Sequence, residues 1–154
     1  MLTDAQVIAK YGQPGDPHNL TILTLPYPMR IDWDRTKTVS HIQCHTKIAG
    51  ALLAVFQDLL AHYGLAKIQE LGIDLFAGCL NVRLQRGSTT VWSRHAWAIA
   101  IDLDPQRNDL HTKWVDAQFS KPEYKFMVGA FHTHGFIGYG PDRNFDAMHF
   151  EINS

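Results

Sequence analysis

Two short segments hold most of the residues able to do chemistry. Ser93-Arg94-His95 opens a run that reaches Asp102, and Asp146-Ala147-Met148-His149 lies close to the C-terminal end. Together they offer two imidazoles and a carboxylate, the nitrogen and oxygen donors that zinc accepts in tetrahedral sites. Three protein ligands leave a fourth position open for water, and zinc lowers the pKa of that water to roughly 7. Asp146 is not needed as a ligand. Three residues ahead of His149, it is placed to accept a proton from the water and return it to a departing amine. These residues point to hydrolysis.

Each half is weak alone, because nine histidines in 154 residues produce HxxxxxxD and DxxH by chance. The pair is stronger, since Ser93, a small-residue strand and an aromatic-flanked C-terminal strand accompany it. Trp97 to Leu103 alternates with period two, with Ile99, Ile101 and Leu103 on one side and Ala98, Ala100 and Asp102 on the other. The small residues leave room beside Asp102 for an ion and its ligands. His95 would face away from Asp102 on a continuous strand, so joining it at one metal requires a bend near Ala96.

Ser93-x-His95-x-x-Ala98-x-Ala100-x-Asp102 resembles the SxHxxGxAxD signature of zinc D-alanyl-D-alanine peptidases, the VanX- and VanY-like M15 family. Asp146-x-x-His149 resembles its second signature, (D/E)xxH. The stretch Asp146 to Glu151, and the lead-in from Asn81-Val82-Arg83 through Arg86-Gly87-Ser88, are similar to phage endolysins of the L-alanyl-D-glutamate peptidase type. The resemblance covers roughly residues 75 to 152, about half the chain.

The resemblance implies one zinc ion on His95, Asp102 and His149, with Asp146 as base. It also implies an upstream arginine on the oxyanion, where a guanidinium donates directional hydrogen bonds. Arg83 is the best match, ahead of Arg86 and Arg94. Ser93 is expected to support a ligand through a hydrogen bond, and His134 to reach a ligand or the substrate. The implied reaction is hydrolysis of an amide in bacterial peptidoglycan stem peptides, by an L-alanyl-D-glutamate endopeptidase that lyses the wall. One alternative is a D,D-carboxypeptidase or dipeptidase acting at D-Ala-D-Ala ends. Another is a non-catalytic zinc domain that binds wall or protein, since the Hedgehog signalling domain shares this fold family. Two departures stand out. Ala98 replaces the glycine of the signature, adding a methyl group at a crowded position. The base is Asp rather than the Glu of the VanX-like branch, one methylene shorter, as in the endolysin branch.

Several elements must position these residues. Thr3 to Tyr11 reads as a short helix with Thr3 as N-cap and Gly12 as its stop. Leu20 to Leu25 and Met29 to Trp33 are extended runs split by Pro26 and Pro28, which predicts an edge strand or arm. Thr38 to Gly64 approximates a helical period and predicts the main helix, with a shorter one over Leu65 to Leu71. Asp74 to Leu84 is strand-like, Lys121 to His134 helical and Phe145 to Ile152 a final strand. The sum is an α+β domain, a small, mostly antiparallel sheet flanked by helices.

Other candidates have plainer explanations. His41 and His45 would share a helix face but lack the glutamate of HExxH. Cys44 and Cys79 suit packing. His132 would offset a helix C-terminus. Trp92, Trp97, Trp114 and Tyr139 suit the core better than a cleft. Asp32 with Asp34, and Asp102 with Asp104, sit too close in sequence to fix a glycosidase spacing.

Length and composition fit one domain over residues 1–154, with its motif-bearing core at about 75–152. A net charge of −1 with scattered basic residues gives no drive toward nucleic acid. Two cysteines make no disulfide framework. The N-terminus lacks the basic start and apolar run of a signal peptide, and no apolar stretch of ~18 residues could insert in a membrane. The expectation is a monomer made in cytoplasm that acts on the wall after release by a separate holin.

Overall fold

The computed structural model describes residues 1–154. Helix α1 (Asp4–Tyr11) begins where Thr3 predicts it. The Thr3 hydroxyl accepts the Gln6 N–H, and the Gln6 side chain accepts the Thr3 N–H in return. Val7 and Tyr11 are its buried face.

Strands β1 (Leu20–Ile31) and β2 (Asp34–His45) form a long antiparallel hairpin that turns at Asp32 and Trp33. Two sequence expectations fail here. The prolines predict an edge strand, yet β1 is internal, pairing with β2 on one side and with β3 (Leu75–Gly78) on the other. The missing proline N–H groups fall in an irregular stretch, because the register passes from Thr24↔His41 directly to Met29↔Val39. The second failure concerns the main helix, predicted from Thr38. It starts only at Ala49, as α2 (Ala49–Tyr63).

The strand wins over residues 38–45 for a local and a tertiary reason. Thr36, Thr38, Val39 and Ile42 are β-branched and stiff at χ1. Pairing with β1 buries Ile42 and Cys44 while His41 and Gln43 stay exposed, an alternation that a helix cannot provide. His41 and His45 therefore share no helix face. His45 is buried, with its Nε2 donating to the Tyr11 carbonyl at 2.8 Å.

Gly64 ends α2 as its sequence position implies, and α3 (Leu65–Leu71) leaves at 100° to it. No single helix is long and apolar enough to cross a membrane. The strand-like stretch from Asp74 contributes only the four residues of β3. Strand β4 (Ala100–Leu103) follows, then a long loop, a 3-10 turn opened by Pro122 and α4 (Lys125–Thr133). The chain closes with β5 (Phe136–Gly138), α5 (Tyr139–Arg143) and β6 (His149–Ile152). The sheet order is β2-β1-β3-β4-β6-β5, antiparallel at every junction except β1 with β3. This is the α+β architecture implied by the sequence.

One apolar cluster runs from Val7 to Ile152, so both ends of the chain share a core. Phe131 and Phe150 stack with ring centroids 4.1 Å apart, and Phe56 of α2 meets Tyr27 edge-on. Burial pushes the Cys44 thiol up to about 11 and the Cys79 thiol well above its ordinary value. Neither is a ready thiolate nucleophile.

Candidate metal centre

One turn and two strands bring the predicted ligands together. His95 lies in a 3-10 turn (Arg94–Trp97) capped by Ser93, whose hydroxyl accepts the His95 N–H at 3.3 Å. Ala98 then adopts a left-handed conformation, φ 53° and ψ 40°, and sends the chain into β4. The bend required near Ala96 is this turn and its left-handed exit. Asp102 on β4 is the direct cross-strand partner of His149 on β6, and such pairs bring side chains into contact.

The turn is held from the N-terminal half of the chain. The Gly15 N–H donates to the Ala96 carbonyl at 2.7 Å and the His45 N–H to the Ala98 carbonyl at 3.0 Å. Trp97 Nε1 donates to the Gly12 carbonyl at 2.8 Å. Arg94 is buried rather than solvated, pairing with Asp4 at 2.7 Å and donating to the Leu2 carbonyl.

The donor atoms of His95, Asp102 and His149 all lie within 4.8 Å of one another. His95 Nε2 stands 3.1 Å from Asp102 Oδ2, and His149 Nδ1 stands 3.0 Å from Asp102 Oδ1. The opposite ring nitrogens are occupied. His95 Nδ1 donates to the Cys79 carbonyl at 2.9 Å, which leaves Nε2 as a lone-pair donor, buried and without a hydrogen-bond partner. His149 Nε2 faces Glu151 Oε2 at 2.9 Å, and Glu151 Oε2 also accepts the Tyr139 hydroxyl at 2.9 Å. Outer partners of this kind fix tautomer and ring orientation at metal-binding histidines.

The electrostatics fit a cation. Burial opposes ionisation of Asp102, but His95 and His149 outweigh it and hold the carboxyl well below its ordinary range. Burial likewise opposes a charged His149, yet Asp102 and Glu151 push it up to about 10. A buried imidazole flanked by two carboxylates calls for positive charge, and a divalent ion on the inward nitrogens would supply it. Two imidazoles and a carboxylate suit zinc.

His95, Asp102 and His149 border a cavity of about 270 Å³, which Asp146 also lines without joining the three-residue cluster. Asp146 Oδ1 is buried without a partner. Burial raises its pKa, with His149 opposing and Asp102 reinforcing the shift. A raised carboxyl pKa suits a group that must take and return a proton. Its φ is 53°, a conformation where Asp is enriched among residues other than glycine. This gives a backbone reason for Asp rather than Glu.

Arg83 lines the cavity with Nε buried and unpartnered, while Nη1 donates to the Leu84 carbonyl at 3.1 Å. Arg86, Arg94 and Arg143 border the same space. His134 is placed elsewhere: its Nε2 meets Asp58 of α2 at 2.7 Å, and it does not border the cavity. His132 pairs with Asp142 at 2.8 Å. Trp97 is core, whereas Tyr139 reaches the site. The paired carboxylates have local uses, Asp104 in an ion pair with Arg107 and Asp34 in a bond to the Thr36 hydroxyl.

Sequence reasoning missed Glu151, Arg143 and the Cys79 carbonyl, and it assigned Tyr139 to the core. Glu151 carried a usable signal, because two residues beyond His149 on a strand is the same face.

No protein of curated function matches the chain. Residues 86–152 match the family model described as D-alanyl-D-alanine carboxypeptidase, a peptidase M15 family, and so support that kinship for the segment holding His95, Asp102, Asp146 and His149.

Proposed function

We propose that the chain is a zinc-dependent M15-type peptidase that hydrolyses an amide bond in peptidoglycan stem peptides, as an endolysin-like L-alanyl-D-glutamate endopeptidase. The observation that carries this reading is the convergence of His95 Nε2, Asp102 and His149 Nδ1 beside the unpaired, buried carboxylate of Asp146. Zinc held by His95, Asp102 and His149 would supply Lewis-acid polarisation of the scissile carbonyl and acidify water. Asp146 takes the proton of the attacking water and delivers it to the nitrogen of the departing amine. Arg83 donates to the carbonyl oxygen as negative charge develops there. Glu151 and the Cys79 carbonyl keep the two imidazoles aimed inward, and Ser93 holds the turn that carries His95.

A second reading is favoured by the description of the matching family model, a carboxypeptidase releasing terminal D-alanine. Digestion of purified peptidoglycan followed by mass analysis separates the two. New N-terminal D-glutamate supports the endopeptidase, and loss of terminal D-alanine supports the carboxypeptidase. Activity should vanish on chelation and return with zinc; cleavage that survives complete metal removal would overturn both readings. Release to the wall through a separate holin, and action as a monomer, belong to the same proposal.

A further inference from the structure

The space around the metal cluster continues past it. Arg83, His95 and Asp102 also border a second cavity of about 270 Å³, on the side of β3. The two flanks differ in charge. Beyond the shared residues, the first is bordered by Asp146 and Glu151 and by three arginines, of which Arg94 is held by Asp4, so Arg86 and Arg143 are the cations that set this flank apart. The second has no charged border beyond the three shared residues and is otherwise edged by Trp33, Ala77, Gly78, Leu80 and Asn81.

Trp33 stands on the turn of the β1–β2 hairpin and is 71% exposed. The turn is anchored, because the Asp32 N–H donates to the Phe76 carbonyl of β3 at 3.0 Å and Asp32 pairs with Arg35. An indole fixed at the rim of a cleft beside the metal cluster, and left in solvent, offers a flat face to whatever enters that cleft. Its flat apolar face suits a ligand with one C–H face and a hydroxylated edge, which describes a pyranose ring.

We propose that the Trp33 cleft is a sugar subsite: the glycan-proximal acyl side of the substrate lies there, and the carboxylate-bearing amine side lies beside Arg86 and Arg143. The inference rests on the peptidase reading and sharpens it. An amide with a sugar close on its acyl side and a carboxylate on its amine side sits at the glycan end of the stem, not at its D-alanine end.

The test uses zinc-loaded protein with two substrates, a GlcNAc-MurNAc stem peptide and the same peptide without sugars. Trp33→Ala should raise KM for the disaccharide peptide roughly five- to tenfold, with kcat and the sugar-free KM unchanged. Trp33→Phe, which keeps a ring, should restore most of the difference. Equal effects on both substrates, or none on either, would overturn the subsite. Calorimetric binding of the disaccharide peptide to Asp146→Asn protein, with and without Trp33→Ala, gives a readout free of catalysis. If the wild-type protein cleaves neither substrate the peptidase reading fails, and the calorimetry still decides the subsite. Weaker binding on loss of Trp33 upholds it, while equal binding, or no binding at all, sinks it.

Discussion

Glu151 and the Cys79 carbonyl do the same work for different imidazoles. Each engages the ring nitrogen that points away from Asp102, so the other nitrogen faces the cluster with its lone pair. Glu151→Gln keeps an acceptor of similar shape and removes the charge. Zinc affinity should then fall by roughly 10- to 100-fold in a competition titration; an unchanged affinity would reduce Glu151 to a packing role. Asp146→Asn probes the chemistry by itself, because Asn also tolerates the left-handed backbone found there. We expect kcat to drop by about 10² or more while zinc stays bound, and a normal kcat would exclude Asp146 from proton transfer. At this scale the convergence of His95, Asp102 and His149 was legible, since few residue types offer the donors that a metal accepts and these three are among them. Tyr139 was not, because a separate helix brings it in. Cys79 acts through a main-chain carbonyl that any residue supplies, so no side-chain pattern could reveal it.

The turn from Ser93 to Ala98 shows how an element sets the geometry. Ala98 is fully buried and left-handed, at the position where the resembled signature carries glycine. The conformation costs an alanine about 1 kcal/mol or more relative to glycine, while loss of a buried methyl costs a comparable amount. Ala98→Gly should therefore be close to neutral. Its cost should be about 1 kcal/mol less than that of Ala100→Gly on β4, where no strain is relieved. Urea unfolding of the two variants checks this, and equal losses would mean that Ala98 carries no strain. Elements were less legible than residues. Val39, Ile42 and Ile48 fit a helical period, and the β-branched run over the same residues decides for a strand only once pairing with β1 is added. Pro26 and Pro28 misled for a similar reason, since an irregular register can accommodate them inside a sheet.

Across the whole molecule, His45 ties helix α1 to the hairpin and to the metal turn. Its Nε2 donates to the Tyr11 carbonyl, and its Nδ1 accepts the Lys47 N–H at 3.0 Å, so the folded protein holds it neutral. Burial lowers its pKa, with Lys47 reinforcing and the Tyr11 carbonyl opposing the shift. Unfolded, His45 binds a proton near the ordinary value of about 6.5. Its stabilising contribution is thus complete above that pH and is lost as pH falls below it, because the unfolded chain takes up a proton the folded chain refuses. The urea midpoint of the wild type should exceed that of His45→Asn at about pH 7.5, with the gap narrowing toward about pH 5. A constant gap would show that His45 does not titrate between the two states.

The supports of the metal turn also bear on what can be moved between proteins. Gly12, Gly15, His45 and Asp4 all precede the motif-bearing half, yet they hold Trp97, Ala96, Ala98 and Arg94 in place. The motif-bearing half is consequently not a cassette. A fragment cut at residue 75, or a chimera that grafts only its motifs onto another scaffold, would carry the ligands without the clamp that aims His95. Any working exchange has to take the first 45 residues with it.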